Sequence, residues 1–273
     1  MSEPEDSGRT IAERMDRRVR INAPRGNDRL ARILERVNAS DELYALWTVV
    51  NVNAMERLGM TDHGPVHVKI VMNIAVKLLR MLGKRDIQPS LVRDYGLDVE
   101  DAEVVVALAA LLHDVGMSIH RADHESYSLF VALPHIDALL RDVYDDATRT
   151  VLRSEILHAI IAHRSGGKPL TLEAGVVRIA DALDMAEGRS RIPFQEGSVS
   201  IHSISAAAIS DINIGPGDAK PVRVSIEMTN SAGVFQLDQL FRDKLSGSGL
   251  EPFIELEAHI EGAEKRLLSE FRI

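Results

Sequence analysis

Apolar residues recur at helical spacing along most of the chain up to about residue 192. Spacings of three and four residues predict seven helices, over 27–38, 40–58, 65–82, 98–115, 123–142, 146–163 and 171–186. The stretch 83–97 carries Gly83, Pro89 and Gly96, so we predict a connection there without a regular element. The pattern predicts a helical bundle that spans residues 26–192.

After about residue 192 the apolar residues begin to alternate. Alternation predicts strands over 199–204, 208–214, 221–228 and 253–260, and a further strand in the last residues. Val222, Val224, Ile226 and Met228 would share the buried face of one strand, and 234–246 predicts a helix. The fold class is therefore mainly α, with a small α+β domain at 193–273. Packing or dimerisation is its simpler role; ligand sensing or covering a pocket is the alternative.

Composition limits the class of protein. The 273 residues are 45% hydrophobic, which predicts a folded chain of one or two domains. No apolar stretch of about 20 residues and no secretory signal is visible, and the absence of cysteine weakly favours a cytoplasmic location. The net charge of −9 makes nucleic acid an unlikely partner, although the 1–25 arm is polar and locally basic. A solvated helix is the simpler interpretation of that arm; contact with phosphate or another subunit is the alternative.

The sequence Leu-Leu-His-Asp-Val-Gly at 111–116 is the most informative segment. A buried helix, with Asp98 as its N-cap and Gly116 in the place of a C-terminal glycine, would end at His113 and Asp114. A carboxylate taken out of water requires a cation or hydrogen bonds. An imidazole beside it suits a divalent metal, while caps and water are the alternative.

Two further segments favour the metal interpretation. Pro65 suits the first position of a helix, which places His67 in the first helical turn. Asp181 lies inside an apolar helical run at 176–184, so it is a second candidate for a buried carboxylate. With His113 and Asp114, these residues predict a mononuclear metal site that leaves room for water.

The order of these residues resembles that of HD-domain metal-dependent phosphohydrolases. The family's spaced His, His-Asp pair and distal Asp correspond to His67, His113-Asp114 and Asp181. The segments 113–126, 160–164 and 178–184 are similar to the HD module of exopolyphosphatase/guanosine pentaphosphatase proteins, whose sugar-kinase-like half this chain lacks. The resemblance covers roughly residues 40–190 and implies an HD-type helical bundle.

The resemblance also implies a possible second metal ion. In HD proteins with two or more metals, additional histidines correspond in position to His124 and His163, and Asp114 would bridge the ions. His158 and His163 lie about 140° apart on a helix, so they cannot both face one pocket. We choose His163, because Arg164 follows it as in the resembling motif, and expect His158 to be packed or capped. The Gly-Tyr-Pro segment of the HD-GYP group is absent, so specificity for cyclic dinucleotides does not carry over.

The implied activity is hydrolysis of a phosphate ester or nucleotide by a metal-activated water. One or two divalent transition metals would bind per chain, with Mn, Fe, Ni, Co or Zn favoured over Mg by histidine-rich ligation. Arg164 and Lys168 could neutralise phosphate oxygens, or they could be two solvated charges in a turn. With Asp114 they form the predicted catalytic set. A metal-containing regulatory module that binds a ligand without turnover is the alternative function, and a homo-oligomer is possible.

Overall fold

A helical bundle occupies the chain up to residue 184 in the computed structural model, which describes residues 10–15, 19–164, 166–184, 208–234, 237–260 and 270–272. The described helices of this part are α1 (Ile11–Arg14), α2 (Asp28–Ala39), α3 (Asp41–Asn51), α4 (Pro65–Gly83), α5 (Ser90–Tyr95), α6 (Val99–Leu112), α7 (His124–Leu140), α8 (Asp146–Ala162) and α9 (Leu172–Ala182). A π-helical segment, Val52–Arg57, continues α3, and a 3-10 turn, Val115–Ser118, follows α6. All seven predicted helices are therefore present.

The prediction of an irregular connection over 83–97 was wrong in part, because α5 lies within it. The carboxylate of Glu173 accepts hydrogen bonds from the N–H groups of Ser90 and Leu91, at 3.2 and 2.9 Å. Gly96 ends the helix in the left-handed conformation, with φ of 67°. A helix of six residues has almost no periodicity of its own, and its capping group comes from a distant part of the chain.

Helix α6 forms the centre of the bundle. Every residue from Asp101 to Leu112 is buried, so the helix is enclosed on all sides by α2, α4, α8 and α9. Asp98 caps it as predicted, in a reciprocal arrangement with Asp101.

Gly116 does not end α6 as we predicted, because the helix stops at Leu112 and Gly116 lies in the following 3-10 turn. A Cβ atom at Gly116 would lie 2.0 Å from the backbone oxygen of His124 and 2.4 Å from the nitrogen of Ser128. Gly116 therefore permits the turn after the His-Asp pair to pack directly on α7. This close approach brings His124 next to the pair.

A mixed sheet follows the bundle. Its strands are β1 (Ile209–Pro216), β2 (Val222–Met228), β3 (Ile254–Ile260) and β4 (Glu270–Arg272), in the spatial order β1-β2-β3-β4. β2 runs antiparallel to β1 and parallel to β3, and β4 runs antiparallel to β3. The predicted buried face of β2 is confirmed, since Val222, Val224, Ile226 and Met228 are all at most 1% exposed. The strand predicted at 199–204 lies outside the described residues.

The segment between β2 and β3 packs against α9. It contains a π-helical stretch, Leu237–Arg242, and a short helix, α10 (Asp243–Leu245), where we predicted a helix over 234–246. Arg178 of α9 is 1% exposed and donates to the carbonyl oxygens of Lys244 and Asp243, at 2.7 and 2.9 Å, and to that of Gly167. Burial lowers the pKa of Arg178. The C-terminal part of the chain is thereby fixed to the helix that carries Asp181.

None of the helices among the described residues is both long and apolar enough to span a lipid bilayer.

Candidate metal centre

Six side chains from five helices meet at the ends of those helices. They are the six that the sequence singled out as candidate ligands: His67, His113, Asp114, His124, His163 and Asp181. His67 lies in the first turn of α4, His124 begins α7, and His163 directly follows α8. All are buried except Asp181, whose side chain is 20% exposed. The structure therefore encloses both carboxylates among imidazoles.

Local contacts before α4 hold its first turn in place. Pro65 occupies the first helical turn, as predicted. The Asp62 carboxylate accepts from the N–H groups of Gly64 and His67, at 3.2 and 3.3 Å. Asn51 Nδ2 donates to the other oxygen of Asp62, at 2.7 Å. These contacts satisfy free N–H groups of the helix and fix the backbone of His67.

Asp114 lies between two groups of histidines. Its Oδ2 is 3.3 Å from His113 Nε2 and 3.6 Å from His67 Nε2. Its Oδ1 is 3.0 Å from His124 Nε2 and 3.6 Å from His163 Nε2. The potential ligand atoms of each group, and those of a third group formed by His113, His163 and Asp181, lie within 4.8 Å of one another. One carboxylate thus offers a separate oxygen to each side of the cluster.

The proton positions on three imidazoles follow from their partners. The Nδ1 atoms of His113 and His163 lie 2.8 and 2.6 Å from the carbonyl oxygens of Ala110 and Ile160. Because a carbonyl can only accept, each Nδ1 carries the proton. In the neutral form of each ring, the Nε2 atom has a lone pair that faces the cluster.

His67 has the same arrangement, with its Nδ1 at 2.6 Å from Asp184 Oδ2. Its Nε2 lies 3.2 Å from His113 Nε2, so in the neutral forms of both rings two nitrogen lone pairs would face each other in a buried space. Such a pair repels unless a cation or a proton lies between them. This donor set of nitrogen and carboxylate oxygen fits a divalent metal.

The electrostatics of the cluster lead to the same requirement for positive charge. Burial raises the pKa of Asp114 and Asp181, but neighbouring imidazoles, and at Asp181 first of all the Lys244 ammonium, outweigh it and hold both values well below the usual range. Burial opposes the charged form of His113, yet the two carboxylates raise its pKa to about 10. Burial lowers the pKa of His163. Both carboxylates are therefore anionic, and a proton or a metal ion must compensate them.

Asp184 is a site residue to which the sequence analysis assigned no role. It is 6% exposed, and its carboxylate orients the His67 imidazole. The available signal was its position three residues after Asp181, at the end of the same helical run. A carboxylate that accepts from the second nitrogen of a ligating histidine is a recurrent feature of metal sites.

Asp184→Ala is expected to weaken metal binding by about 10- to 100-fold, because His67 loses the group that fixes its orientation. Asp184→Asn is the matched control, since its amide oxygen can still accept from Nδ1, and a smaller loss is expected. Titration of both proteins with metal, followed by calorimetry, measures the difference. Equal affinity in the wild type and Asp184→Ala would contradict this role.

Two cations that were not predicted from the sequence contact the cluster. Lys244 Nζ lies 3.1 Å from Asp181 Oδ2 and also donates to the carbonyl oxygen of His163. Arg121 Nη1 lies 2.7 Å from His124 Nδ1. Arg121 stands three residues before His124, whereas no local signal connects Lys244 with Asp181. The predicted cations Arg164 and Lys168 are both exposed, and no contact of their side chains with the cluster is found among the described residues.

The remaining histidines occupy different positions. His63 lies at the edge of the cluster, with Nδ1 at 2.6 Å from the Thr61 oxygen and Nε2 at 4.0 Å from Asp114 Oδ2. His158 Nε2 accepts from the N–H of Leu170, at 3.0 Å, so it is a capping histidine as expected. His120 is exposed, and its Nδ1 accepts from the N–H of Ala122, at 3.1 Å.

Comparison with known proteins gives a match to one family and to two related proteins. A family model described as HD domain matches residues 66–186, a span that contains all six cluster residues. The chain is 40% identical over 223 residues to "Uncharacterized protein MJ1020" of Methanocaldococcus jannaschii, which covers 82% of this chain and 86% of that protein. It is 35% identical over 98 residues to a Ribonuclease Y of Desulforamulus reducens, covering 36% of this chain and 16% of that protein. No solved structure matches.

Proposed function

Because the chain belongs to the HD-domain superfamily, whose members are generally metal-dependent hydrolases, we propose that it is a divalent-metal phosphohydrolase. Its substrate would be a phosphate ester or a nucleotide. The observation that carries the proposal is the convergence of imidazole Nε2 atoms, whose rings bind backbone carbonyls through Nδ1, and anionic carboxylates in one buried cluster. The similarity to a protein named as a ribonuclease favours phosphodiesters among the substrates to be tested.

We propose the ligands of two ions from the resemblance to HD proteins, and the closeness of the potential ligand atoms supports them. His67, His113, Asp114 and Asp181 would hold the first ion, and His124 and His163 a second, with Asp114 shared. Histidine-rich ligation favours Mn, Fe, Ni, Co or Zn over Mg. Bound metal would supply a water of lowered pKa and polarise the phosphoryl group.

Lys244 has two tasks in this proposal. By binding Asp181 Oδ2 it turns the other oxygen, Oδ1, toward His113 Nε2 and His67 Nε2, at 3.5 and 3.7 Å. An ammonium group has three donors, and two of them are used by Asp181 and the His163 carbonyl. Among the described residues the third has no acceptor, so a phosphate oxygen could accept from it, and the positive charge would stabilise the charge that develops during hydrolysis.

Arg121 would act on the opposite side of the cluster. For His124 Nε2 to ligate, its Nδ1 must carry the proton, which the Arg121 carbonyl and the Glu125 carboxylate could accept at 3.0 and 3.2 Å. The guanidinium, now 2.7 Å from that nitrogen, would then be released. An exposed guanidinium beside the cluster is well suited to bind a phosphate oxygen.

The test is a panel of phosphomonoesters, phosphodiesters and nucleotides, each assayed with Mn, Fe, Ni, Co, Zn and Mg. Turnover that depends on one of the transition metals and is lost on chelation is the expected result. A protein that binds metal stoichiometrically but turns over none of these compounds would contradict the enzyme and favour the regulatory module.

Lys244→Met is expected to retain metal and to lower kcat/KM by about 10- to 100-fold, because a charge-assisted contact with phosphate is worth roughly 1.5–3 kcal/mol. Methionine keeps most of the side-chain volume, so packing on α9 is preserved. Steady-state kinetics and elemental analysis of the variant measure the two quantities.

Arg164→Ala is the comparison, because Arg164 and Lys168 remain the cations predicted from the sequence. If Arg164→Ala lowers kcat/KM and Lys244→Met does not, phosphate is neutralised by the loop after α8. Unchanged kinetics in Lys244→Met would remove Lys244 from the proposed site in either case.

A further inference from the structure

A cavity of about 520 Å³ lies where three parts of the chain meet. The second half of α4 forms one wall, the end of β1 together with Pro221 forms the other, and Pro24 closes one end. It is separate from the metal centre: Lys77, which lines it, is ten residues from His67 on α4, or roughly 15 Å along a helix. Cavities of about this size at the junction of two structural units commonly hold small molecules.

The walls of the cavity are largely apolar. Val76 and Ile214 are buried beneath it, and Met81, Pro216 and Pro221 complete the apolar surface. Proline rings and branched side chains present a rigid surface of this kind to a planar or aliphatic group. Covering it would remove apolar area from water, which favours binding.

Four cations line the same cavity, at Lys77, Arg80, Lys84 and Arg85. Glu103 neutralises Arg80 through two hydrogen bonds of 2.6 and 2.9 Å. Arg85 donates only to a neutral carbonyl, that of Gly217, among the described residues. Lys77 and Lys84 have no ion-pair partner there, and none of the described lining residues is acidic. Among the described residues, three positive charges of the lining are thus left without a compensating carboxylate.

The helix itself explains only part of this charge. Lysine near the C-terminus of a helix is stabilised by the helix dipole, which accounts for Lys84 directly after α4. Lys77 lies well before the last turn, where that effect has decayed. In a chain with a net charge of −9, a cluster of uncompensated cations beside an apolar surface indicates an anionic ligand.

We propose that this cavity is a second ligand site, which binds a small molecule that joins an apolar or planar group to phosphates, such as a nucleotide. The base would lie on the apolar wall and the phosphates would contact Lys77, Lys84 and Arg85. The site is independent of the metal centre and of the proposed hydrolysis.

The experiment is calorimetric titration of the full chain, with metal removed by chelation, with adenosine 5′-[β,γ-imido]triphosphate, whose β–γ linkage resists hydrolysis. Lys77→Glu and Lys84→Glu are each expected to weaken binding by about 10-fold or more, because an attraction becomes a repulsion. Arg32→Glu is the matched control, since it makes the same change of charge on the exposed surface of α2, and it should bind as the wild type does. Thermal unfolding of each variant checks that it is folded.

Two further arms separate this site from the metal centre and from simple ion attraction. Asp114→Ala should retain the binding, whereas loss of binding in Asp114→Ala alone would place the ligand at the metal centre and overturn the proposal. Inorganic tripolyphosphate should bind at least 10-fold more weakly than the nucleotide analogue; equal binding would mean that the apolar wall contributes nothing.

Gly215→Trp should also block the cavity, since a Cβ atom there meets nothing within 4 Å. Equal affinity in the wild type, both lysine variants and Gly215→Trp would overturn the site.

Discussion

Replacing Asp114 by alanine is expected to remove metal from both sides of the cluster and to abolish turnover. Its two oxygens face different pairs of histidines, at 3.0–3.6 Å, so no other side chain can take its place. Loss of a group that merely orients a ligand costs about 10- to 100-fold in metal affinity or activity. Loss of a direct ligand shared by two ions should cost more than that.

Elemental analysis of the purified variant tests this expectation, together with the phosphohydrolase assay. Asp28→Ala is the matched control, because it removes the same carboxylate from an exposed position in the first turn of α2. It should retain both metal and activity. Wild-type metal content in a folded Asp114→Ala protein would contradict the proposed centre, whatever the protein hydrolyses.

The bundle and most of the cluster could be predicted because their signals are local or ordered along the chain. The continuous apolar run of α6 indicates a buried helix, and its end places His113 and Asp114 in the interior. Pro65 fixes the start of α4 and therefore the position of His67. These signals depend on residues that are neighbours in the sequence, so they can be recognised without the tertiary structure.

The parts that could not be predicted depend on contacts between distant residues. Lys244 reaches Asp181 only because α10 packs on α9, and the pattern of apolar residues around Lys244 predicts no more than a helix. We favoured packing or dimerisation as the role of the C-terminal part; its contact with Asp181 supports the alternative of covering the pocket. Helix α5 likewise depends on Glu173, more than 80 residues further along the chain. Tertiary contacts of this kind leave no periodic signal in the sequence.

Variants at His124 and His163 should differ in the number of metal ions that they bind. His124 belongs to one group of potential ligands, with Asp114 and His163, whereas His163 also belongs to the group with His113 and Asp181. His124→Ala should therefore remove the second ion alone and leave about one metal per chain with reduced turnover. His163→Ala should weaken both ions, because its Nε2 faces both groups.

Metal-to-protein ratios of the two variants, measured at saturating metal, decide between one ion and two. His158→Ala is the matched control: it removes an imidazole that caps the N–H of Leu170 outside the cluster, so the ratio should stay at the wild-type value. A wild type that binds two ions and a His124→Ala variant that binds one would establish the second position. If His124→Ala and His163→Ala both keep the wild-type ratio, the centre is mononuclear and these histidines are structural. In that case they would pack around Asp114 without ligating an ion, since both Nε2 atoms lie within 3.6 Å of its Oδ1.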